Sequence, residues 1–174
     1  MTAVVGLDLS LTGTGICTDH GCYLVKPTKS LDGLARMRWI RGQVRDRALL
    51  DPWPGPWPQD VLVVVEGLAF ASHTGKASER AGLWWMIQDD LADRARIAVV
   101  TPSGRAKFAT GKGNAPKDTV MLEAARRLPN LGITDNNTAD AAVLYAMGRD
   151  HLGQPVTPFP ATHRAALDAV TWPR

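Results

Sequence analysis

The chain has 174 residues, a formal net charge of +3, 45% hydrophobic and 21% charged residues. That length suits one domain with a sizeable core and leaves no room for a second catalytic domain. No apolar run approaches the roughly 20 residues needed to cross a bilayer, and the start of the chain lacks the pattern of a secretory signal. A soluble, cytoplasmic protein is expected. The basic balance permits a polyanionic partner, so the placement of the cations matters more than their sum.

In chain order, Ala3 to Leu7 is a short apolar run without polar alternation, the pattern of a strand buried on both faces. A hairpin follows, Gly15 to Thr18 and Cys22 to Lys26, with its turn at His20-Gly21. Its two cysteines, Cys17 and Cys22, could form a disulfide or, with His20, part of a zinc site. They read best as small buried or half-buried side chains, because zinc needs four ligands and no second pair exists. Leu31 to Leu49 reads as a helix whose core face is Leu31, Leu34, Met37, Ile40 and Val44. Arg38, Arg41 and Arg45 form a basic stripe on it, read as a solvated face.

A Pro- and Trp-rich loop, 51 to 60, leads to a second buried strand, Val61 to Val65, and Lys76 to Arg94 reads as another helix. Ile97 to Val100 is a third buried strand. Helical segments follow at Ser103 to Phe108, Lys117 to Leu128 and Thr138 to Gly148, and the tail ends in a short helix at His163 to Val170. The order β-β-β-α-β-α-β-α describes a mixed α/β domain over residues 1–152, with 153–174 as a tail packing on it.

Two of the buried strands end in an acid. Asp8 closes the first, within Val5-Gly-Leu-Asp-Leu-Ser-Leu-Thr-Gly-Thr-Gly15, and Glu66 closes the second, within Val63-Val-Val-Glu-Gly-Leu68. Burying a carboxylate costs several kcal/mol unless a positive charge compensates it. Adjacent parallel strands would set both acids at the C-terminal edge of the sheet, where open α/β sheets hold ligands. Like charges there force one to protonate unless a divalent cation joins them. A third acid lies in Asp135-Asn-Asn-Thr-Ala-Asp-Ala-Ala-Val143. With Asn136 or Asn137 as N-cap, Asn137 and Asp140 share one face of the helix's first turn, and its small residues let that end pack against the sheet.

Arg105-Ala-Lys-Phe-Ala-Thr-Gly-Lys-Gly-Asn-Ala-Pro-Lys117 carries four cations and no acid around a glycine-rich turn. Such a loop suits phosphate contact. A nucleotide-binding P-loop is excluded, because Gly113 stands where Ser or Thr is required and no glycine lies five residues before Gly111.

In this order and spacing the motifs resemble the RuvC-type Holliday-junction resolvases, over roughly residues 3 to 150. The resemblance rests on Gly6-Leu-Asp8 with Ser10-Leu-Thr and Thr14-Gly15, on Val65-Glu66, on Thr110-Gly-Lys-Gly-Asn-Ala-Pro-Lys117, and on Ala139-Asp-Ala141. The length suits a compact form, of phage or actinobacterial type. The resemblance implies a ribonuclease H-like mixed β-sheet flanked by helices. It also implies a homodimeric crossover junction endodeoxyribonuclease, which nicks four-way DNA junctions with two Mg2+ ions, Mn2+ substituting. Asp8, Glu66 and Asp140 fall on the family's acidic positions. Lys107, Lys112 and Lys117 fall on its basic positions near the scissile phosphate, Lys107 and Lys117 as catalytic residues, and Arg105 joins them as a DNA contact. Phe70 lies one residue from the aromatic that unstacks a junction base. Asn137 stands where many relatives carry a fourth acid, and its carbonyl oxygen can still act as a metal-site acceptor.

Three other functions stay open on these residues. One is a broader debranching nuclease for forks and flaps, and another is a branched-DNA binding module without catalysis, against which the three intact acids argue. The third, a sugar- or acetate-kinase-like fold, shares the Gly-x-Asp strand end but needs a duplicated domain for which the chain is too short.

Overall fold

The computed structural model describes residues 2–50, 60–68 and 76–174. Its centre is a five-stranded sheet: β1 (Ala3–Asp8), β2 (Thr14–Thr18), β3 (Gly21–Val25), β4 (Val61–Glu66) and β5 (Arg96–Val100), in the order β3-β2-β1-β4-β5. The first three strands form an antiparallel meander, and β4 and β5 add in parallel on the other side of β1.

Helices cover both faces, which explains the unbroken apolar runs of β1 and β4; β5, expected to be buried as well, lies at the sheet edge and leaves Val99 exposed. On one side, α1 (Gly33–Val44) and α2 (Ala77–Ala92) pack over Ala3, Val5, Leu7, Val61, Val63 and Val65. On the other, α3 (Pro102–Thr110), α4 (Lys117–Arg127) and α5 (Asn136–His151) pack over Val4, Leu62, Val64, Ala98 and Val100. Because strand side chains alternate, Gly6 and Asp8 follow Val4 to the second face, and Glu66 follows Val64.

Helix α5 is buried along almost its whole length and lies directly on β1 and β2. Glycines make that approach possible. A Cβ on Gly6 would collide with the Ala141 carbonyl oxygen and the Tyr145 amide nitrogen, and one on Gly15 with the Asn137 carbonyl. On the helix side, a Cβ on Gly148 would come within 2.7 Å of Val4 and 2.8 Å of Val64.

Several local expectations change. The hairpin turn is Asp19-His20, because Thr18 pairs with Gly21, which takes the left-handed φ of 116°. Cys17 and Cys22 then face each other across the strands as free thiols, Cys17 buried and Cys22 half-buried. Leu34 is exposed: α1 begins only after Asp32, whose carboxylate caps Gly33 N–H, and its buried stripe starts at Met37. Beyond Val44 the chain continues as a π-helix over Arg45–Leu50. The N-cap of α5 is Asp135: its carboxylate accepts from Thr138 N–H at 2.9 Å, and Thr138 Oγ1 accepts from the Asp135 amide at 3.0 Å. This reciprocal box outcompetes the neighbouring asparagines because it satisfies two backbone donors.

The tail packs onto the α3–α5 face. The Phe159 ring lies 4.3 Å from that of Phe108, the buried His163 has its Nδ1 2.9 Å from the Phe108 carbonyl, and Ala166 is buried. It forms the short helix α6 (Ala161–Arg164) and a 3-10 turn, Leu167–Ala169, in place of one helix from His163 to Val170.

The glycine approach yields a first expected outcome. Gly6→Ala should lower unfolding stability by about 1–3 kcal/mol, the range for forced overpacking, in urea titrations followed by circular dichroism. A loss below about 0.5 kcal/mol, the scale of an ordinary surface change, would show that α5 does not depend on this contact.

Candidate metal centre

The β1–β4 register sets Leu7 opposite Val65, so the residues that follow, Asp8 and Glu66, emerge side by side at the C-terminal sheet edge. Helix α5 crosses this edge and supplies Asp140 from its first turns. One oxygen from each of the three carboxylates falls in a group within 4.8 Å of one another. The loop after Asp8 is fixed by Thr14, whose hydroxyl donates to the Ser10 carbonyl at 2.9 Å and accepts from the Ser10 amide at 3.2 Å.

Burial and mutual repulsion act strongly on these acids. Burial first, then the charges of Glu66 and Asp140, push the Asp8 carboxyl up to about 8. Burial also raises Asp140, to about 6, against the opposing pull of Arg105. Burial and crowding disfavour the ionised carboxylates here, and a bound dication would relieve that. The donors are all oxygens, the set that suits Mg2+ or Mn2+ over zinc. The residues present therefore fit a divalent metal site.

Arg105 departs from its expected place in a DNA-contacting loop. Its side chain is 6% exposed, with Nε donating to Glu66 and Nη1 to Asp140. The sequence reading missed this pairing. A signal for it was available in the spacing: Arg105 follows the helix-capping Thr101 by one turn, on the face that buries Phe108 and Ala109.

The rest of the basic stretch divides between surroundings. Lys117, the first residue of α4, is exposed and lines a cleft of about 450 Å³ together with Asp8, Glu66, Ser10, Trp84 and Asn137. Lys112, also exposed, faces a separate hollow of about 620 Å³ that Arg126, Arg127 and His163 share. Lys107 is half-buried on α3 and lines neither. Asn137 packs beside Gly13, where a Cβ would meet its Nδ2 at 2.9 Å. Phe70 lies outside the described residues, as do Trp53 and Trp57.

Trp84 is a second feature not read from the sequence. Its indole N–H donates to the Glu66 carbonyl at 2.9 Å, bracing the strand end that carries the acid, and the exposed Trp85 packs perpendicular to it with ring centroids 4.9 Å apart.

The crowding of acids makes stability pH-dependent. The folded state holds the Asp8 proton to about pH 8, against an ordinary value of 3.8, so it binds more protons than the unfolded chain between these limits. Stability should therefore fall as pH rises from about 4 to about 8. Melting curves in EDTA check this: Asp8→Asn should flatten the decline and melt higher than the parent at pH 8. An unchanged slope would place the proton elsewhere.

No family model matches the chain. No curated protein matches it. Among solved structures it is similar to Thermus thermophilus RuvC, with a TM-score of 0.64 and 17% identity over 90% of this chain and 99% of that one. It is also similar to T. thermophilus RuvC in complex with Holliday junction substrate, with a TM-score of 0.56 and 18% identity over 91% of this chain and 100% of that one. The architecture is thus the ribonuclease H-like, RuvC-type α/β fold. Among the described residues no helix is long and apolar enough to cross a membrane.

Proposed function

We propose that this chain is a metal-dependent endonuclease of branched DNA, acting in the cytoplasm on four-way junctions. The observation that carries the reading is the convergence of Asp8, Glu66 and the buried Asp140, the first two lining an open cleft, in a RuvC-type fold. Two solved structures to which it is similar are of RuvC, one of them in complex with Holliday junction substrate.

Asp8, Glu66 and Asp140 would hold a pair of Mg2+ ions, or Mn2+ in their place. Such ions, when bound, supply an activated water and neutralise the charge that builds on a phosphate under attack. Asp8 lies on the central strand and is pressed by both other acids, so it would be a principal carboxylate holding the metal. Lys117 stands at the exposed rim of the same cleft, where an ammonium group can meet a phosphate oxygen. Asn137 lines the cleft beside the acids and offers a neutral oxygen acceptor. Lys107 and Lys112, outside the cleft, are assigned to the flanking DNA backbone, where contacts set affinity more than rate.

The nuclease unit is residues 1–152, with 153–174 a tail whose Phe159 and His163 hold the end of α3. A four-way junction has two-fold symmetry and needs two nicks, so a two-fold dimer presenting two clefts is the form assigned to the active protein.

The test offers labelled four-way junction, fork, flap, duplex and single strand to the purified protein with Mg2+, Mn2+ or EDTA. Paired nicks in the junction, absent in EDTA, are expected. Asp8→Asn, Glu66→Gln and Asp140→Asn should each lower cleavage by at least about 100-fold, the scale of losing a charge-stabilising group, while retaining junction binding. Binding by the parent chain without cutting in either metal would leave a DNA-binding module, and preference for forks or flaps a debranching nuclease.

Asn137→Ala should slow cleavage and raise the Mg2+ midpoint by about 10- to 100-fold, the scale of a residue that supports a metal ligand. Asn137→Asp should keep activity. A Mg2+ midpoint unmoved in Asn137→Ala would leave the amide outside the metal centre.

A further inference from the structure

Arg105 is the cation that the acids already possess. Helix α3 starts at the Thr101 cap immediately after β5, and one turn later it turns Arg105 inward beneath the sheet edge. There the guanidinium forks between two carboxylates that share no element with it, Glu66 on β4 and Asp140 on α5. An arginine cannot shed its proton, and its planar donors match two carboxylates at once, so it compensates buried negative charge permanently. The same two carboxylates belong to the group that can converge on a metal ion. A guanidinium and a dication repel each other, and here both draw on the same two carboxylates.

We propose that Arg105 is the resident counter-cation of this acidic site: it bridges Glu66 and Asp140 when no divalent ion is bound, and must release them before one binds. The inference rests on reading the three acids as a metal site. Arg105 is then a positioning residue that acts through the carboxylates. It keeps them assembled in the metal-free protein and sets the ion concentration at which the site loads. A purely structural salt bridge has the opposite sign, since removing it would scatter the acids and weaken metal binding.

Metal binding itself tests this, with Mn2+ as the probe and free Mn2+ followed by electron paramagnetic resonance. If the bridge covers the acids in about nine molecules of ten, the apparent Kd is about tenfold weaker than that of the bare site. Arg105→Gln should therefore bind Mn2+ about tenfold more tightly than the parent, and Arg105→Lys, with a point charge and no fork, should fall between them. In melting curves Arg105→Gln should be less stable than the parent in EDTA and gain more from Mn2+. A variant that folds only with Mn2+ present would show a structural bridge and overturn the inference, with Arg105→Lys, which keeps a charge, as the folded comparison. Equal or weaker Mn2+ binding by folded Arg105→Gln, while the parent binds Mn2+ and Asp8→Asn does not, overturns the inference and leaves the metal site standing. A parent chain that binds no Mn2+ removes the site and the inference together.

Discussion

Three carboxylates meet where β1, β4 and α5 converge, and the surrounding fold serves to keep them there against their repulsion. The sheet contributes two of them through register, since Leu7 opposite Val65 leaves Asp8 and Glu66 adjacent at the strand ends. The third depends on a helix lying closer to the sheet than side chains normally allow. Gly6 and Gly15 remove the Cβ atoms that would hold α5 away, and the chain's two strongest demands therefore stand two residues apart: no side chain at Gly6, an acid at Asp8.

The cost of this crowding is visible in Asp8, whose carboxyl is raised to about 8, and it accounts for the cations nearby. They work at different ranges. Arg105 is buried and directly bonded to two acids, whereas Lys117 is exposed at the rim of the cleft and acts on Asp8 and Asp140 through its field. An inner cation stabilises the protein's own charges, and an outer one can address the charge of a ligand. Residues that look alike in a basic string thus divide by depth.

The tail has a structural part in the same arrangement. Phe159 and His163 grip Phe108, on the helix that carries Arg105, and His163 also sits under Gly111 at the turn leading to Lys117. A ring atom of His163 would lie 3.1 Å from a Cβ at Gly111, which also takes a left-handed φ of 80°. Glycine is needed there for conformation and for space.

By itself the sequence determined the strands, the buried character of β1 and β4 on both faces, and the acids at their ends, because these follow from local hydrophobic pattern and from the cost of burying charge. The edge strand β5 leaves Val99 exposed. Asp8 and Glu66 were legible as neighbours because each closes an apolar strand, whereas Asp140 was joined to them by the family resemblance, and the fold brings one oxygen of each within 4.8 Å of the others. Tertiary structure alone decided what depends on depth and on contacts far apart in the chain. The apolar spacing of α1 marked Leu34 as core, yet its first turn lies outside the packed stripe. Arg105, 39 residues from Glu66 and 35 from Asp140, read as one more cation in a loop. Charge type is written in the residue, but whether a guanidinium faces solvent or two carboxylates is settled only when α3, β4 and α5 pack together.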